Sequence, residues 1–467
     1  MYFRFYRNPG RGVFVSDIIA AISTALAPSG IGIIRLSGPN CAPLADRVLT
    51  PVFGVPLAQA APRKLCLYDL RDRSGRVIDR ILAVQTPGPA SYTGEDTVEL
   101  QCHGSPAVLT EALAHLLAQG ARQAGPGEFT KRAFLNGRMD LTAAEAVIDL
   151  IEAETADAAA NAAGQVGGAL LRKLTPVYDA LVSVMSHFHA VLDYPDEDID
   201  AFDLENYTAL LSRQRSVLEA LLATAARGQV VKHGIKAVIL GRPNAGKSSL
   251  LNALAGYDRV IVTEIPGTTR DTVEEKIHLG SLVLRLIDTA GIRTTQDQVE
   301  QIGVTRALCA AQEADLALVV LDGSQPLGAE DHRAIAAARQ AKHVICVLSK
   351  ADLPQVLISE QLDFDLVLPV SSRTGQGLET LTSAVEKLFA SNVPCDGTLL
   401  TNLRHQRAII VARDAMDRTL AALSAGTTPD AVLLEVEEAL AAIADVTGKS
   451  MREDITNDIF SRFCVGK

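Results

Sequence analysis

The stretch from Leu240 to Asn252 combines glycines, a lysine and serines at a spacing that suits phosphate binding. It follows a short apolar run, opens a helical pattern and matches G-x-x-x-x-G-K-[ST]. Gly241 and Gly246 let backbone N–H groups face an anion, and the helix N-terminus adds its positive dipole end. Lys247 would neutralise the β- and γ-phosphates, and Ser248 would hold Mg²⁺. The alternative is a plain glycine turn, but companion motifs at matching distances favour a nucleotide site.

Two later motifs indicate that the nucleotide is GTP. The run Asp288-Thr289-Ala290-Gly291 follows a predicted strand; its carboxylate would reach Mg²⁺ through water, and its glycine N–H would meet the γ-phosphate. Asp352 would accept two hydrogen bonds that adenine cannot donate, each contributing about 1.5–3 kcal/mol. Ser349 stands where Asn is usual in this motif, which bears on affinity rather than on base preference. These motifs predict GTP contacts at Asn244, Ala245, Gly246, Lys247, Ser248, Ser249, Asp288, Thr289, Ala290, Gly291, Ser349, Lys350, Asp352, Ser371, Ser372 and Arg373.

The usual means of activating water is missing from this motif set. Small GTPases place a glutamine directly after the D-T-A-G run, but Ile292 stands there. Asn244 occupies a position where small GTPases have glycine, and a first switch segment follows at residues 263–271. The amide oxygen of Asn244 can therefore join carbonyl groups of that segment around a monovalent cation. Such a cation would do the work of an arginine finger.

The elements that must position these residues belong to a chain of 467 residues, enough for about three domains. Aromatic residues make up 4% and Trp is absent, which together with abundant alanine and leucine favours helix-rich packing. The net charge of −11 excludes a global field that attracts RNA or anionic lipid. Seven scattered cysteines without a C-x-x-C pair suit a reducing cytoplasm, and no apolar run approaches the length that spans a membrane.

Composition and hydrophobic periodicity divide the chain into segments 1–15, 16–135, 136–233, 234–390 and 391–467. The first is basic and interrupted by Pro9 and Gly10, which favours a disordered extension over an organelle-targeting helix. The second mixes short strands and a helix and predicts a compact α+β domain. The fourth alternates strands with helices and predicts a parallel, doubly wound sheet. The third and fifth predict an all-α bundle into which that sheet domain is inserted.

Local signals predict several details of the helices and loops. Pro176 either starts a helix or kinks one, Thr428 caps a helix, and Gly448 ends it. The charged residues of runs 91–104 and 125–141, taken alone, favour solvated loops over ligand contacts.

The GTPase motifs resemble those of the potassium-activated GTPases, and the chain is similar to the MnmE (TrmE) family of bacterial tRNA modification GTPases. The likeness extends from about Asp17 to Lys467. It rests on the GTPase motifs in their order and on four other runs: Gly32-Ile-Ile-Arg-Leu-Ser-Gly38, Thr93-Gly-Glu-Asp96, Pro126-Gly-Glu-Phe-Thr-Lys-Arg-Ala-Phe134 and Phe463-Cys-Val-Gly-Lys467.

This resemblance implies a homodimer formed through the N-terminal domain. That domain would bind 5-formyl- or 5,10-methylene-tetrahydrofolate through Arg35, Glu99, Arg138 and Lys467. Arg138 stands where the family usually has Lys, which keeps the charge but changes the geometry. The resemblance also implies K⁺ held by Asn244, Thr263, Thr268 and the Ile265 carbonyl, and Mg²⁺ held by Ser248 and Thr269. Thr263, Thr268 and Thr269 thereby join the predicted GTP contacts.

Two further residues receive a role from the resemblance. Glu300 matches the family's water-orienting carboxylate, which GTP and K⁺ would order by bringing two nucleotide domains together. Without the resemblance, Glu300 would be taken for a solvated helix residue. Cys464 is either a small buried hydrophobic residue or, as the family motif favours, a thiolate near the folate that takes part in the modification.

The implied function is that of a cytoplasmic GTPase that forms a heterotetramer with the FAD protein MnmG (GidA) and does not use a membrane. The pair would add an aminomethyl or carboxymethylaminomethyl group at C5 of wobble uridine-34 of certain tRNAs, with one carbon from folate. One alternative is a ribosome-assembly GTPase switch, which shares Asn244 but has no use for Arg35, Glu99 or the final run. The other is a folate-binding module that GTP regulates without tRNA modification.

Overall fold

The computed structural model describes residues 17–193, 204–257, 275–287, 308–389, 393–449, 456, 459–461 and 463–466. The predicted extension at residues 1–15 lies outside them. The chain divides into two compact units. One unit comprises Met1–Ile148, Gln165–Arg215 and Val411–Lys467, and the other comprises Asp149–Gly164 and Ser216–Ile410.

The first unit contains a seven-stranded sheet. Its strands are β1 (Ile19–Ile22), β2 (Ser29–Ser37), β3 (Leu49–Pro51), β4 (Cys66–Arg71), β5 (Val77–Thr86), β6 (Thr97–Gly104) and β7 (Arg122–Gln123). The order is β3-β4-β5-β6-β2-β1-β7, and all pairs are antiparallel except β1 with β7. The helices are α1 (Cys41–Ala45), α2 (Pro106–Ala118) and α3 (Glu128–Leu135). Alternating residues of the strands face α2 and form one apolar core, as expected for α+β packing.

Long helices follow and later resume after the second sheet. They are α4 (Leu141–Ile151), α5 (Ala156–Val166), α6 (Ala169–Asp193), α7 (Leu204–Leu222), α8 (Ala225–His233), α12 (Leu403–Ser424) and α13 (Pro429–Thr447). Pro176 lies inside α6, so it does not start a helix. The predicted positions of the ends of α13 are confirmed, because the helix starts directly after Thr428 and ends at Gly448 with φ 77°. The Thr428 side chain, however, makes no capping hydrogen bond to the helix backbone. Among the described helices, none combines the length and apolar character that crossing a membrane requires.

The second unit contains a six-stranded sheet. It is built from β8 (Ile235–Leu240), β9 (Glu275–Leu279), β10 (Leu282–Leu286), β11 (Leu316–Asp322), β12 (His343–Ser349) and β13 (Val367–Pro369), with α9 (Lys247–Tyr257), α10 (Ala329–Ala338) and α11 (Leu378–Phe389). The order is β13-β12-β11-β8-β10-β9. Successive residues of β8 belong to two different cores, one with α9 and α11 and one with α10. Helices therefore cover both faces, as predicted for a doubly wound sheet.

One strand departs from the predicted parallel pattern. β9 pairs with β10 in antiparallel fashion, because the two form a hairpin through a tight turn at Gly280. Lys276 lies directly opposite Arg285 in this hairpin. The carboxylate of Glu154, between α4 and α5, lies 2.5 Å from the Lys276 ammonium and 3.4 Å from the Arg285 guanidinium. Glu154 thus offsets the repulsion between two cations that face each other across a strand pair.

Residues 396–400, which follow α11, pack against α5 and α8. The side-chain oxygen of Asn161 accepts hydrogen bonds from the N–H groups of Gly397 and Leu399 at 3.1 and 3.3 Å. A Cβ added at Gly164 would lie 2.4 Å from the carbonyl oxygen of Asp396. Glycine is therefore needed where this segment crosses α5 closely.

Candidate functional site

The predicted phosphate-binding loop joins the end of β8 to the start of α9. Gly241 has φ 153°, and a Cβ added there would lie 2.3 Å from the carbonyl oxygen of Val320 on β11. Gly246 has φ 102° and faces Ser349. Both positions need glycine, since the loop presses against neighbouring strands while its N–H groups stay at the helix N-terminus.

Lys247 turns its side chain back under this loop. Its Nζ donates to the carbonyl oxygens of Gly241 at 2.7 Å and Arg242 at 2.8 Å. Burial lowers the pKa of the Lys247 ammonium, and nearby Glu330 opposes that shift. An anion in the loop would compensate the desolvated cation, so the geometry suits a phosphate. Ser248 lies exposed in the first turn of α9, where a metal could reach its hydroxyl.

Ser349 ends β12 and contacts the phosphate loop directly. Its hydroxyl donates to the carbonyl oxygen of Ala245 at 2.5 Å and lies 3.0 Å from that of Leu321. The side chain is buried, with 4% of the residue exposed. Asn, the usual residue, has two N–H donors where serine has one. The replacement of the usual Asn by Ser349 therefore changes the hydrogen bonding that joins the phosphate loop to the sheet.

Lys350 has a left-handed backbone with φ 59°, which is uncommon for a residue other than glycine. Its Nζ donates to the Asp322 carboxylate at 2.6 Å. Asp322 ends β11 and is 3% exposed. Burial raises the pKa of Asp322, but hydrogen bonds from Lys350 and Ser324 outweigh burial and leave the pKa below its usual value. The ionised carboxylate thus holds the segment that precedes Asp352.

Asp352, the predicted guanine-binding residue, has an exposed side chain held by one buried hydroxyl. Ser371 donates to its Oδ1 at 2.7 Å, and this bond lowers the pKa of Asp352. Ser371 also closes the next loop, because its carbonyl oxygen accepts a hydrogen bond from the Gly375 N–H at 2.9 Å. Ser372 and Arg373 lie in that loop. The structure therefore brings together the two predicted base-binding segments.

Part of the predicted GTPase site lies outside the described residues. Asn244 is described: it has φ 60° and is exposed at the tip of the phosphate loop. The remaining predicted cation, switch and catalytic residues, which the described part of the chain does not include, are Thr263, Ile265, Thr268, Thr269, Asp288, Thr289, Ala290, Gly291 and Glu300.

Arg35 and Glu99 form a second polar site in the first unit. They face each other on β2 and β6, with Arg35 Nη2 2.8 Å from Glu99 Oε1. The guanidinium carbon lies 5.4 Å from the ring centre of Tyr92 and 5.7 Å from that of Phe129. A cation, a carboxylate and two aromatic rings in one place can bind a flat heterocycle that carries both donors and acceptors.

Arg138 lies beside the loop that contains Gly94. A Cβ added at Gly94, where φ is 80°, would lie 3.2 Å from Cγ of Arg138. The amide of Asn136 donates to the carbonyl oxygen of Thr93 at 2.8 Å and holds the two loops together. The Arg138 side chain is exposed, and Lys467, the fourth predicted folate ligand, lies outside the described residues.

Arg132 corrects the expectation that the charged residues of these runs are solvated. It is 9% exposed. It donates to the carboxylates of Asp17 at 2.6 Å, Glu95 at 3.0 Å and Glu128 at 3.1 Å. Ser37, two residues after Arg35, donates to the same oxygen of Glu95 at 2.7 Å. This buried network positions the loops around the Arg35 pair, and no local signal in the sequence distinguished it from a solvated loop.

The segment that contains Cys464 docks on the first sheet unit. Val465 forms a bridge with Pro126, the Cys464 carbonyl accepts from the Gly127 N–H at 3.2 Å, and the Gly466 carbonyl accepts from the Ser23 hydroxyl at 2.8 Å. Cys464 itself is exposed, so of the two alternatives the one in which it is a small buried hydrophobic residue is wrong. The neighbouring Phe463 is buried and packs in an apolar cluster that includes Phe134 and Phe460.

Comparisons with known proteins cover nearly all of the chain. A family model described as the MnmE helical domain matches residues 141–464, and one described as the GTP-binding protein TrmE N-terminus matches residues 18–138. The protein named tRNA modification GTPase MnmE from Roseiflexus sp. (strain RS-1) is 42% identical over 469 residues, covering 97% of this chain and 99% of that protein. Its namesake from Akkermansia muciniphila is 42% identical over 454 residues, with 96% and 98% covered.

Among solved structures, the chain is similar to the G domain of the T. maritima FeoB iron transporter. The two are 27% identical, the match covers 34% of this chain and 99% of that one, and the TM-score is 0.25.

Proposed function

Because this chain belongs to the MnmE (TrmE) family of tRNA modification GTPases, we propose that it helps to modify C5 of the wobble uridine-34 of certain tRNAs. It is a GTP hydrolase that takes part in tRNA modification. The group added would be of the aminomethyl or carboxymethylaminomethyl type. The observation that supports GTP chemistry most directly is the placement of Lys247, half-buried under its loop, at the same sheet edge as Ser349 and the segment of Asp352.

The described residues suit the binding of GTP. The phosphate loop offers N–H groups and a desolvated cation, and the exposed carboxylate of Asp352 is held in place by Ser371. We propose that Ser248 and Thr269 hold Mg²⁺, which neutralises phosphate charge. Asn244, Thr263, Thr268 and the Ile265 carbonyl would hold K⁺, which stabilises charge developing on the phosphates. Glu300 would orient the attacking water. The exposed amide of Asn244 is compatible with this arrangement.

We propose that Arg35, Glu99, Arg138 and Lys467 bind a 5-formyl- or 5,10-methylene-tetrahydrofolate, which supplies the carbon. The support is the ion pair of Arg35 and Glu99 beside two aromatic rings, since a pterin ring is flat and carries donors and acceptors on one edge. Cys464, exposed on the docked segment, is proposed to take part in the modification. Its thiol is accessible to a substrate, which a buried cysteine would not be.

Several proposals concern organisation and partners. The chain would form a homodimer through its first domain and a heterotetramer with the FAD protein MnmG (GidA), act on tRNA in the cytoplasm and use no membrane. Segment 16–135 would be the folate-binding and dimerisation domain. Segment 234–390 would be the GTPase domain, inserted between the helical segments 136–233 and 391–467. The packing of α6 against α13 supports one helical bundle made from both flanks.

The test is mass spectrometry of digested tRNA from a strain that lacks the gene. Loss of the C5 substituent from wobble uridine, restored by the wild-type gene but not by Glu300→Ala, would support coupling of GTP hydrolysis to modification. Glu300→Ala protein should keep its affinity for GTP and lose turnover; equal hydrolysis rates would refute the role of Glu300. Unchanged nucleosides would instead favour the ribosome-assembly alternative, and folate binding without a tRNA defect would favour the folate module.

A further inference from the structure

Asp322 lies where the phosphate side and the base side of the nucleotide site meet. It is the last residue of β11, the strand between β8 and β12. In the register of the sheet it lies beside Ser349. The carboxyl ends of parallel strands meet at one edge, so a buried side chain here can contact the loops that follow both neighbouring strands.

The carboxylate of Asp322 lies between cations from these two loops. Its Oδ2 accepts from Lys350 Nζ at 2.6 Å and lies 3.9 Å from Arg242 Nη2 of the phosphate loop. Its Oδ1 accepts from the N–H and the hydroxyl of Ser324, at 3.1 and 2.6 Å. With 3% of the residue exposed, these charges interact in a poorly solvated place, where removal of one partner is costly.

The two cations, Arg242 and Lys350, belong to loops that form different parts of the nucleotide site. Arg242 follows Gly241, and its backbone carbonyl accepts from Lys247 Nζ at 2.8 Å. Its guanidinium is held further by Asp331 at 3.4 Å. Lys350 precedes Ala351 and Asp352 and has a left-handed backbone, a conformation that persists where its surroundings hold it. A single carboxylate therefore constrains the position of the phosphate-binding lysine and of the base-binding aspartate.

We propose that Asp322 is a positioning residue that keeps the phosphate loop and the guanine-binding segment in register with each other. This inference rests on the proposed GTP function. Loss of the carboxylate leaves two partly buried cations without their shared anion, so Lys350 shifts and carries Asp352 away from the base. Both the affinity for GTP and the preference for guanine then depend on a residue that contacts neither phosphate nor base.

The test is displacement of a fluorescent GDP analogue by GTP and by ITP, with Mg²⁺ present, from the full chain. ITP lacks the exocyclic amino group of guanine, so the ratio of its Kd to that of GTP reports the contact with Asp352. For Asp322→Asn we expect the Kd of GTP to rise about tenfold or more and the ITP-to-GTP ratio to fall at least about threefold. Asp352→Asn, which alters the base-binding carboxylate itself, serves as the reference for loss of discrimination between GTP and ITP.

Asp315→Asn is the matched control. Asp315 directly precedes the same strand at its other end and also accepts from a lysine, Lys342, at 2.8 Å. This variant should stay within about twofold of wild type. If Asp322→Asn does not fold, Ser324→Ala removes the hydroxyl that donates to Asp322 Oδ1 at 2.6 Å, leaves every predicted GTP contact in place and should lower the ratio in the same direction.

Unchanged affinity, or a rise in both Kd values with an unchanged ratio, would overturn the positioning role. Wild-type protein that binds neither nucleotide would instead refute the proposed function.

Discussion

The replacement of the usual Asn by Ser349 leads to a prediction about nucleotide affinity. In Ser349→Ala the buried hydroxyl that joins β12 to the phosphate loop is lost, and the carbonyl oxygen of Ala245 loses its donor at 2.5 Å. Ala245 is fully buried, so water does not readily replace the lost donor. Removal of one partner of a buried hydrogen bond costs about 1–3 kcal/mol.

How much of this cost appears as weaker nucleotide binding depends on how far binding requires the phosphate loop to be held in place. If the whole cost appears in binding, the Kd of GDP rises about 5- to 150-fold. Titration with a fluorescent GDP analogue at constant Mg²⁺ measures this Kd in wild type and variant. Ser424→Ala is the control, since its hydroxyl also donates to a carbonyl oxygen, that of Leu420 at 2.9 Å, but on an exposed helix surface. That variant should bind as wild type does.

Ser349→Asn tests the same reasoning in the opposite direction. Its amide has two N–H donors, which can serve the carbonyl oxygens of Ala245 and Leu321 together, where one hydroxyl proton cannot. We expect affinity at least equal to that of wild type. The reasoning would be refuted by Ser349→Ala protein whose Kd lies within about twofold of wild type.

Three further predictions concern charge and thiol chemistry. A hydrogen bond from Arg122, followed in importance by one from Arg132, lowers the pKa of Asp17 to about 2, so the stabilising effect of this carboxylate is present above about pH 4 and lost as pH falls towards 2. Asp17→Asn should remove this pH dependence from the free energy of unfolding, an effect of about 1 kcal/mol because the side chain is half exposed. Glu154→Gln should lower the Tm, and added salt should reduce the difference by screening the two facing cations on β9 and β10. In native protein a thiol reagent should modify the exposed Cys464 and Cys309 quickly, and Cys464→Ser should remove one fast equivalent, whereas an unchanged count would contradict the exposure.

The features that the sequence predicted well are those encoded by neighbouring residues. Glycine spacing defined the phosphate loop, and φ values of 153° at Gly241 and 102° at Gly246 confirm the need for glycine. Proline and glycine signals likewise marked both ends of α13. Strand periodicity predicted the doubly wound sheet but not the antiparallel β9, because a hairpin partner depends on the turn and not on the apolar pattern.

The contacts that the sequence did not predict join residues far apart in the chain. The hydroxyl of Ser349 meets a carbonyl of the phosphate loop, and Arg132 gathers three carboxylates, one of them from Asp17. A charged residue in a polar run has the same local pattern whether it is solvated or buried in a network. Only the fold decides which, since burial depends on the other strands and loops that surround the side chain. The exposure of Cys464, between buried Phe463 and paired Val465, has the same origin.

The docking of Gly466 on Ser23 has a consequence for how the protein is made. These residues are 443 positions apart, so a ribosome must synthesise all the residues between them before the hydrogen bond can form. Until then, the β7 edge of the first sheet lacks the segment that bridges Pro126, and the aromatic cluster around Phe134 lacks Phe460 and Phe463. The first sheet therefore forms without these contacts during early synthesis. It acquires them only after every intervening segment has been translated.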